Sequence, residues 1–210
     1  MSSLVIVDSG SANLNSVYKA AIMVSLQPVI SDDPKIINAA KAVIFPGVGS
    51  FSHAAAAIKE KALAATLMKT INEGKPFLGI CLGMQLLFSY SEETNLLAPE
   101  AKGLGVIPGA VKRFPEGLPV PHVGWNKVNP VKNHPLFEGL DNGSYFYFTH
   151  SYFVQPDDTR HSLALTDYGF PFTAAVAEKN LLGVQFHPEK SGAAGLRLLS
   201  NFGKIIADHY

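Results

Sequence analysis

The chain has 210 residues, 47% hydrophobic and 16% charged, with lysine plus arginine and aspartate plus glutamate both at 17. That balance suits one compact domain over residues 1–210 and excludes a disordered tail. It also leaves no basic stripe for nucleic acid, no apolar run near the ~20 residues that span a bilayer, and no charged leader at the N-terminus. The single cysteine, Cys81, cannot form an internal disulfide, which points to a reducing cytoplasm.

The first half alternates predicted strands and helices. Residues 4–7 form a short, wholly apolar run suited to a buried parallel strand. A helix is expected after Asn13, with Leu14, Val17, Ala21 and Val24 on one face. Residues 42–45 read as a second buried strand ending in Pro46-Gly47-Val48-Gly49. One alanine-rich helix is expected next, with Phe51, Ala55, Ile58, Ala62, Leu67 and Ile71 among its apolar positions. Residues 77–80 form a strand that delivers Cys81 to a turn, and Leu86, Leu87 and Phe88 continue as helix. Such alternation predicts an α/β, doubly wound, mostly parallel sheet with helices on both faces and its reactive crevice at the strands' carboxyl ends. The second half changes character. Residues 103–114, 120–128, 145–155, 163–166 and 172–185 are rich in β-branched and aromatic types, predicting added antiparallel hairpins. The tail from 192 to 210 returns to helix, with Leu196, Leu199, Phe202 and Ile206 on its apolar face.

A lone cysteine is more often a packing residue than a nucleophile. Here, however, Gly79 and Gly83 bracket Cys81 where a strand must turn sharply into a helix, the arrangement of a nucleophile elbow. Unpaired N–H groups and the helix dipole at that turn favour thiolate, drawing the pKa below ~8.5. Far downstream, His187-Pro188-Glu189 places an imidazole and a carboxylate two residues apart. In an extended segment they share a face, so Glu189 is expected to orient His187 as the base for Cys81. The main-chain N–H of Leu82 is one natural oxyanion donor, and the Pro46–Gly49 loop, ending a neighbouring strand, is a candidate for the second.

The string from Gly79 to Gln85, taken with His187-Pro188-Glu189, resembles the class I (triad) glutamine amidotransferases. Pro46-Gly47-Val48-Gly49-Ser50-Phe51, Pro121-His122-Val123-Gly124-Trp125-Asn126, the string from Tyr147 to Tyr152, and Lys190-Ser191 narrow the resemblance to glutaminase subunits of imidazole glycerol phosphate synthases. It runs in order from about Val5 to Phe202. The resemblance implies that Cys81 forms a glutamyl thioester and releases ammonia, with His187 and Glu189 completing the triad and Val48 and Leu82 holding the oxyanion. It implies that Gln85 and Glu93 grip the amino-acid end of glutamine, with main-chain contacts from Gly49, Ser151 and Tyr152. It further implies a heterodimer with a cyclase subunit that receives the ammonia, and neither cofactor nor metal. Asn13, His122, Trp125, Asn126, Tyr147 and Lys190 match the cyclase-facing surface, although composition alone leaves Trp125 open as a core aromatic. His134 and His161 read as ordinary surface residues. The chain departs from the family's Asp-Tyr-Gly…Gly-Asn start, having Asp8-Ser9-Gly10-Ser11-Ala12-Asn13 instead. Three other readings stay open at this level: an amidotransferase subunit serving another synthase, a stand-alone amide hydrolase, and a catalytically dead scaffold.

Overall fold

The computed structural model describes residues 4–10, 12–93 and 101–209, so the N-terminal start and Ser11 of the departing string lie outside the described residues. Strands β1 (Leu4–Val7), β2 (Pro28–Ser31), β3 (Ala42–Gly47), β4 (Phe77–Cys81) and β13 (Leu181–Val184) form a parallel block in the order β2-β1-β3-β4-β13. Residues alternate across this block as the pleat requires. Leu4 and Ile6 pack with helices α1 (Leu14–Met23) and α6 (Gly192–His209) on one face. Val5 and Val7 pack with α2 (Pro34–Ala39), α3 (Phe51–Glu60) and α4 (Leu63–Asn72) on the other. Helices therefore cover both faces, as expected of a doubly wound fold.

Beyond β13 the sheet turns antiparallel. It continues through β12 (Pro171–Glu178), β10 (Tyr152–Pro156) and β7 (Ile107–Arg113), then β5 (Phe88–Ser91), parallel to β7, and β6 (Ala101–Lys102). A ribbon of β8 (His122–Pro130) and β9 (Ser144–His150) hangs from β11 (Ser162–Asp167), which pairs with β12. The sheet is thus mixed, with a larger antiparallel part than the word hairpins suggests.

Three local expectations change. The alanine-rich helix is two helices, broken where the exposed Ala62 turns left-handed at φ +54°. The helix after Cys81, α5 (Leu82–Gln85), is a single turn. It ends because the carbonyls of Leu86 and Leu87 accept N–H bonds from Leu104, Val106 and Ile107, which draws residue 88 into β5 instead. Finally, β2 and α2 had no counterpart in the pattern reading. Yet α2 carries a start signal, with Pro34 at its first position and the Asp33 carboxylate accepting the Lys35 N–H at 2.8 Å. In α6, Leu198, Leu199, Phe202 and Ile206 are buried, while Leu196 is only half-buried.

Candidate active site

Parallel pairing of β3 with β4 sets Gly47 beside Cys81, so the Pro46–Gly49 loop and the thiol share the carboxyl end of the sheet. Cys81 adopts φ +53° and ψ −112°, a left-handed backbone rare for a side-chain-bearing residue, and starts α5. This turn requires glycine at position 83, because a Cβ there would lie 1.8 Å from the Phe45 carbonyl oxygen. The thiol is almost fully buried.

His187 follows β13, whose Val184 pairs with Ile80 of β4. Its Nδ1 lies 2.8 Å from Glu189 Oε1, and both side chains are 2% exposed. The contact is not made along an extended segment as expected. Residues Pro188–Lys190 close a 3-10 turn, which folds Glu189 back toward the imidazole. The turn is pinned on both sides. The His187 N–H donates to the Tyr147 carbonyl at 2.9 Å, and the Ser191 hydroxyl donates to the His187 carbonyl at 2.6 Å while accepting the Tyr147 N–H at 3.0 Å. Helix α6 lies close against it, since a Cβ on Gly195 would sit 1.8 Å from the Pro188 carbonyl oxygen.

Burial alone would drive the His187 imidazole neutral. Cys81 and then Glu189 outweigh it, and together they hold the pKa up to about 10. Its Nε2 has no hydrogen-bond partner among the described residues. The raised value leaves the ring carrying its proton at neutral pH.

The expected oxyanion donors Val48 and Leu82 and the expected substrate contacts Gly49, Gln85, Glu93, Ser151 and Tyr152 line one cavity of about 320 Å³ together with Cys81. A groove of about 1020 Å³ lies elsewhere, near Pro135, Phe137 and Asp208, and is lined by no cysteine, serine or threonine. Glu93 closes the catalytic cavity at the start of α3, its carboxylate accepting the Phe51 N–H at 2.6 Å. Gln85 is already engaged, its amide nitrogen donating at 3.0 Å both to the Tyr152 carbonyl and to Gln185 Oε1.

The six expected partner-facing residues divide. Trp125, 54% exposed, pairs edge-on with Tyr147, and the Lys190 ammonium lies over the Tyr147 ring. The core alternative for Trp125 is thereby removed. Asn13 is exposed and caps α1, its side chain accepting the Ser16 N–H at 3.4 Å. His122 is the correction: at 3% exposure its side chain faces inward, stacked between Phe148 and Tyr168. The β8–β9 register sets His122 opposite His150, and their ring nitrogens meet at 3.0 Å. Asn126, half-buried, donates to the Asp167 carbonyl at 2.7 Å and lies 3.3 Å from His122 Nε2. Its hydrogens thus make His122 Nε2 an acceptor. His122 Nδ1–H then donates to His150, whose Nδ1–H donates to the Tyr152 carbonyl at 2.7 Å. Burial holds His122 down to about 4 and His150 to about 3, so both rings are neutral, as this directed chain requires. His134 and His161 are not free surface groups either. His134 Nδ1 accepts the Leu136 N–H at 3.1 Å, and His161 pairs with Glu178 at 3.4 Å.

Two residues at the site had no assigned role from sequence: His150 and Gln185. Their local strings do not reveal a role, because each reaches the site through strand register. Val184 pairs with Ile80, so the next residue on each strand, Gln185 and Cys81, become neighbours.

The family model for glutamine amidotransferase class-I matches residues 5–205. A relative from Desulfitobacterium hafniense, imidazole glycerol phosphate synthase subunit HisH, is 47% identical over 96% of this chain and 93% of its own length. The subunit of the same name from Methanothermobacter thermautotrophicus is 46% identical over 97% and 98%. Among solved structures, a glutamine amidotransferase superposes with a TM-score of 0.74 at 20% identity, covering 97% of this chain and 98% of that one. The PurLQS structure from Thermotoga maritima gives 0.73 at 20%, covering 98% and 99%; at such identities the likeness speaks for the fold alone. With the family model spanning nearly the whole chain and two relatives sharing nearly half of its residues over almost their full lengths, the chain belongs to the class I glutamine amidotransferases.

Proposed function

We propose that the chain is the glutaminase subunit of an imidazole glycerol phosphate synthase. It hydrolyses glutamine to glutamate and ammonia and passes the ammonia to a cyclase subunit that forms imidazole glycerol phosphate and aminoimidazole carboxamide ribotide in histidine biosynthesis. The observation that carries the reading is the buried His187–Glu189 pair at 2.8 Å serving a cysteine held at positive φ beside the Pro46–Gly49 loop.

The thiolate of Cys81 attacks the carboxamide carbon of glutamine, and the N–H groups of Val48 and Leu82 take up the charge that forms on oxygen. As the C–N bond breaks, His187 gives its proton to the leaving nitrogen, which departs as ammonia and leaves a glutamyl thioester. His187, now neutral, takes a proton from water. The resulting hydroxide attacks the thioester, and sulfur leaves as thiolate beside a recharged imidazolium. Glu189 orients the ring throughout. Glu93 and Gln85 Oε1 hold the substrate's amino-acid end, with main-chain contacts from Gly49, Ser151 and Tyr152.

The docking face for the cyclase is the exposed side of the β8–β9 ribbon, where Val123, Trp125 and Tyr145 are all more than half exposed and Lys190 flanks Tyr147. Ammonia released near this face avoids water, where it would become unreactive ammonium. The proposed setting is the cytoplasm, where Cys81 stays reduced. The test uses the purified complex with its cyclase. Cys81→Ala abolishes glutamine-dependent product formation and leaves ammonia-dependent formation intact; equal loss of both activities overturns the assignment.

A further inference from the structure

We infer that Gln185 belongs to the catalytic machinery, its side-chain amide holding the Cys81 sulfur as a poised thiolate opposite His187. This rests on the reading of Cys81 as the nucleophile. Gln185 is fully buried and sits one residue beyond the pairing of Val184 with Ile80, which puts it abreast of Cys81 on the neighbouring strand. Its Nε2 donates to Cys81 Sγ at 3.5 Å. Its Oε1 accepts from Gln85 Nε2 at 3.0 Å, and its backbone N–H is tied to the Ala174 carbonyl at 2.8 Å.

The amide has one workable orientation. Rotated by half a turn, Gln185 would aim oxygen lone pairs at the sulfur and bring two N–H donors face to face at Gln85. Gln85 cannot relent, because its amide nitrogen also donates to the Tyr152 carbonyl. That carbonyl is in turn the terminus of the Asn126–His122–His150 chain. The direction of the Gln185 dipole is thus enforced from the β8–β9 ribbon inward. A buried donor of fixed direction costs no reorganisation when charge sits on sulfur. The same bond assists the second half of the reaction, when the thioester breaks and sulfur leaves with the electron pair. Neutral thioester sulfur is the weaker acceptor, so the amide favours the thiolate at both ends of the cycle.

The test reads the thiol and not the glutaminase, so its outcome is separate from failure of the proposed function, which would show as absence of glutamate release. In the full chain, the rate of Cys81 alkylation by iodoacetamide is followed from pH 4 to 10. The titratable groups around the sulfur, His187 with Glu189, His150, Glu93 and Tyr152, are left unchanged. Gln185→Met, of similar shape without a donor, is expected to have its profile moved about one unit to the alkaline side, so that it alkylates about tenfold more slowly along the acidic limb. Gln185→Glu, which sets a carboxylate against the sulfur, is slower still. Should these variants fail to fold, the wild type decides. In protein labelled with ¹⁵N in glutamine side chains, one amide shifts with the ionisation of the thiol, and that response is lost in Cys81→Ala. A Gln185→Met profile superimposable on the wild type, or no glutamine amide following the thiol, overturns the assignment.

Discussion

Acidification should destabilise this fold well before its carboxylates titrate, and two buried imidazoles account for the effect. His122 and His150 are held near 4 and near 3 by burial, whereas an exposed histidine titrates near 6.5. Their folded values are depressed, so the unfolded chain binds more protons across that interval. The stability they confer is complete above pH 6.5 and is lost as pH falls toward the folded values. Each group contributes a slope of about 1.4 kcal/mol per pH unit, which by pH 4.5 amounts to about 5 kcal/mol for the pair. That is a large fraction of the ~5–15 kcal/mol that keeps a typical domain folded. The assay is urea unfolding at intervals from pH 4.5 to 7, followed by Trp125 fluorescence. His122→Gln removes one titrating ring, so its stability at pH 7 drops while its dependence on pH flattens by about 1.4 kcal/mol per unit. Parallel curves for wild type and variant, or a wild type whose stability is level from pH 6.5 to 5, would refute the account.

The alkaline limb has the opposite sign. The His187 value is raised to about 10, so the stability it confers is complete below pH 6.5 and declines as pH climbs toward 10; Glu189→Gln should shallow that decline in the same urea series. In the complex, His187→Ala should lower glutaminase turnover by orders of magnitude and Glu189→Ala by less, since triad members act as a unit without contributing equally; near-normal turnover in His187→Ala would end the triad assignment. Gly83→Ala sets a methyl 1.8 Å from the Phe45 carbonyl oxygen and should cost about 3 kcal/mol in urea unfolding, because backbone and not a movable side chain must yield. Trp125→Ala should weaken cyclase binding by more than ~1 kcal/mol in calorimetry and leave the melting temperature of the chain unchanged. Gly49 lies at φ +98°, which a proline ring fixed near −65° cannot adopt. Gly49→Pro should therefore displace the Pro46–Gly49 loop and abolish glutaminase turnover in the complex while docking to the cyclase, measured separately, survives.

The division of labour between sequence and fold is clear at particular residues. Cys81 is legible from sequence because an elbow needs glycine on both sides, and residues 79 and 83 are where the backbones of β3, β4 and α5 approach too closely for a Cβ. The His187–Glu189 contact is legible from spacing, although a 3-10 turn makes it and not an extended strand. Strands β1, β3 and β4 and the flanking α1 and α6 follow from apolar runs and helical periodicity, which depend on neighbours in the chain, whereas β2 and the parallel pairing of β13 with β4 do not. What depends on pairing between distant strands was beyond that reach. A histidine reads alike whether it points outward or inward, and only the register of β8 on β9 and the aromatic packing around it turn His122 inward onto His150. Gln185 carries no signal of its own. It stands beside the sulfur because β13 lies next to β4 in a register set by the whole sheet. Likewise, helix propensity runs through residues 86–88, and tertiary hydrogen bonds to residues 104–107 override it. Local chemistry could be read from the order of residues; the direction of each buried hydrogen bond required the neighbours that only folding brings together.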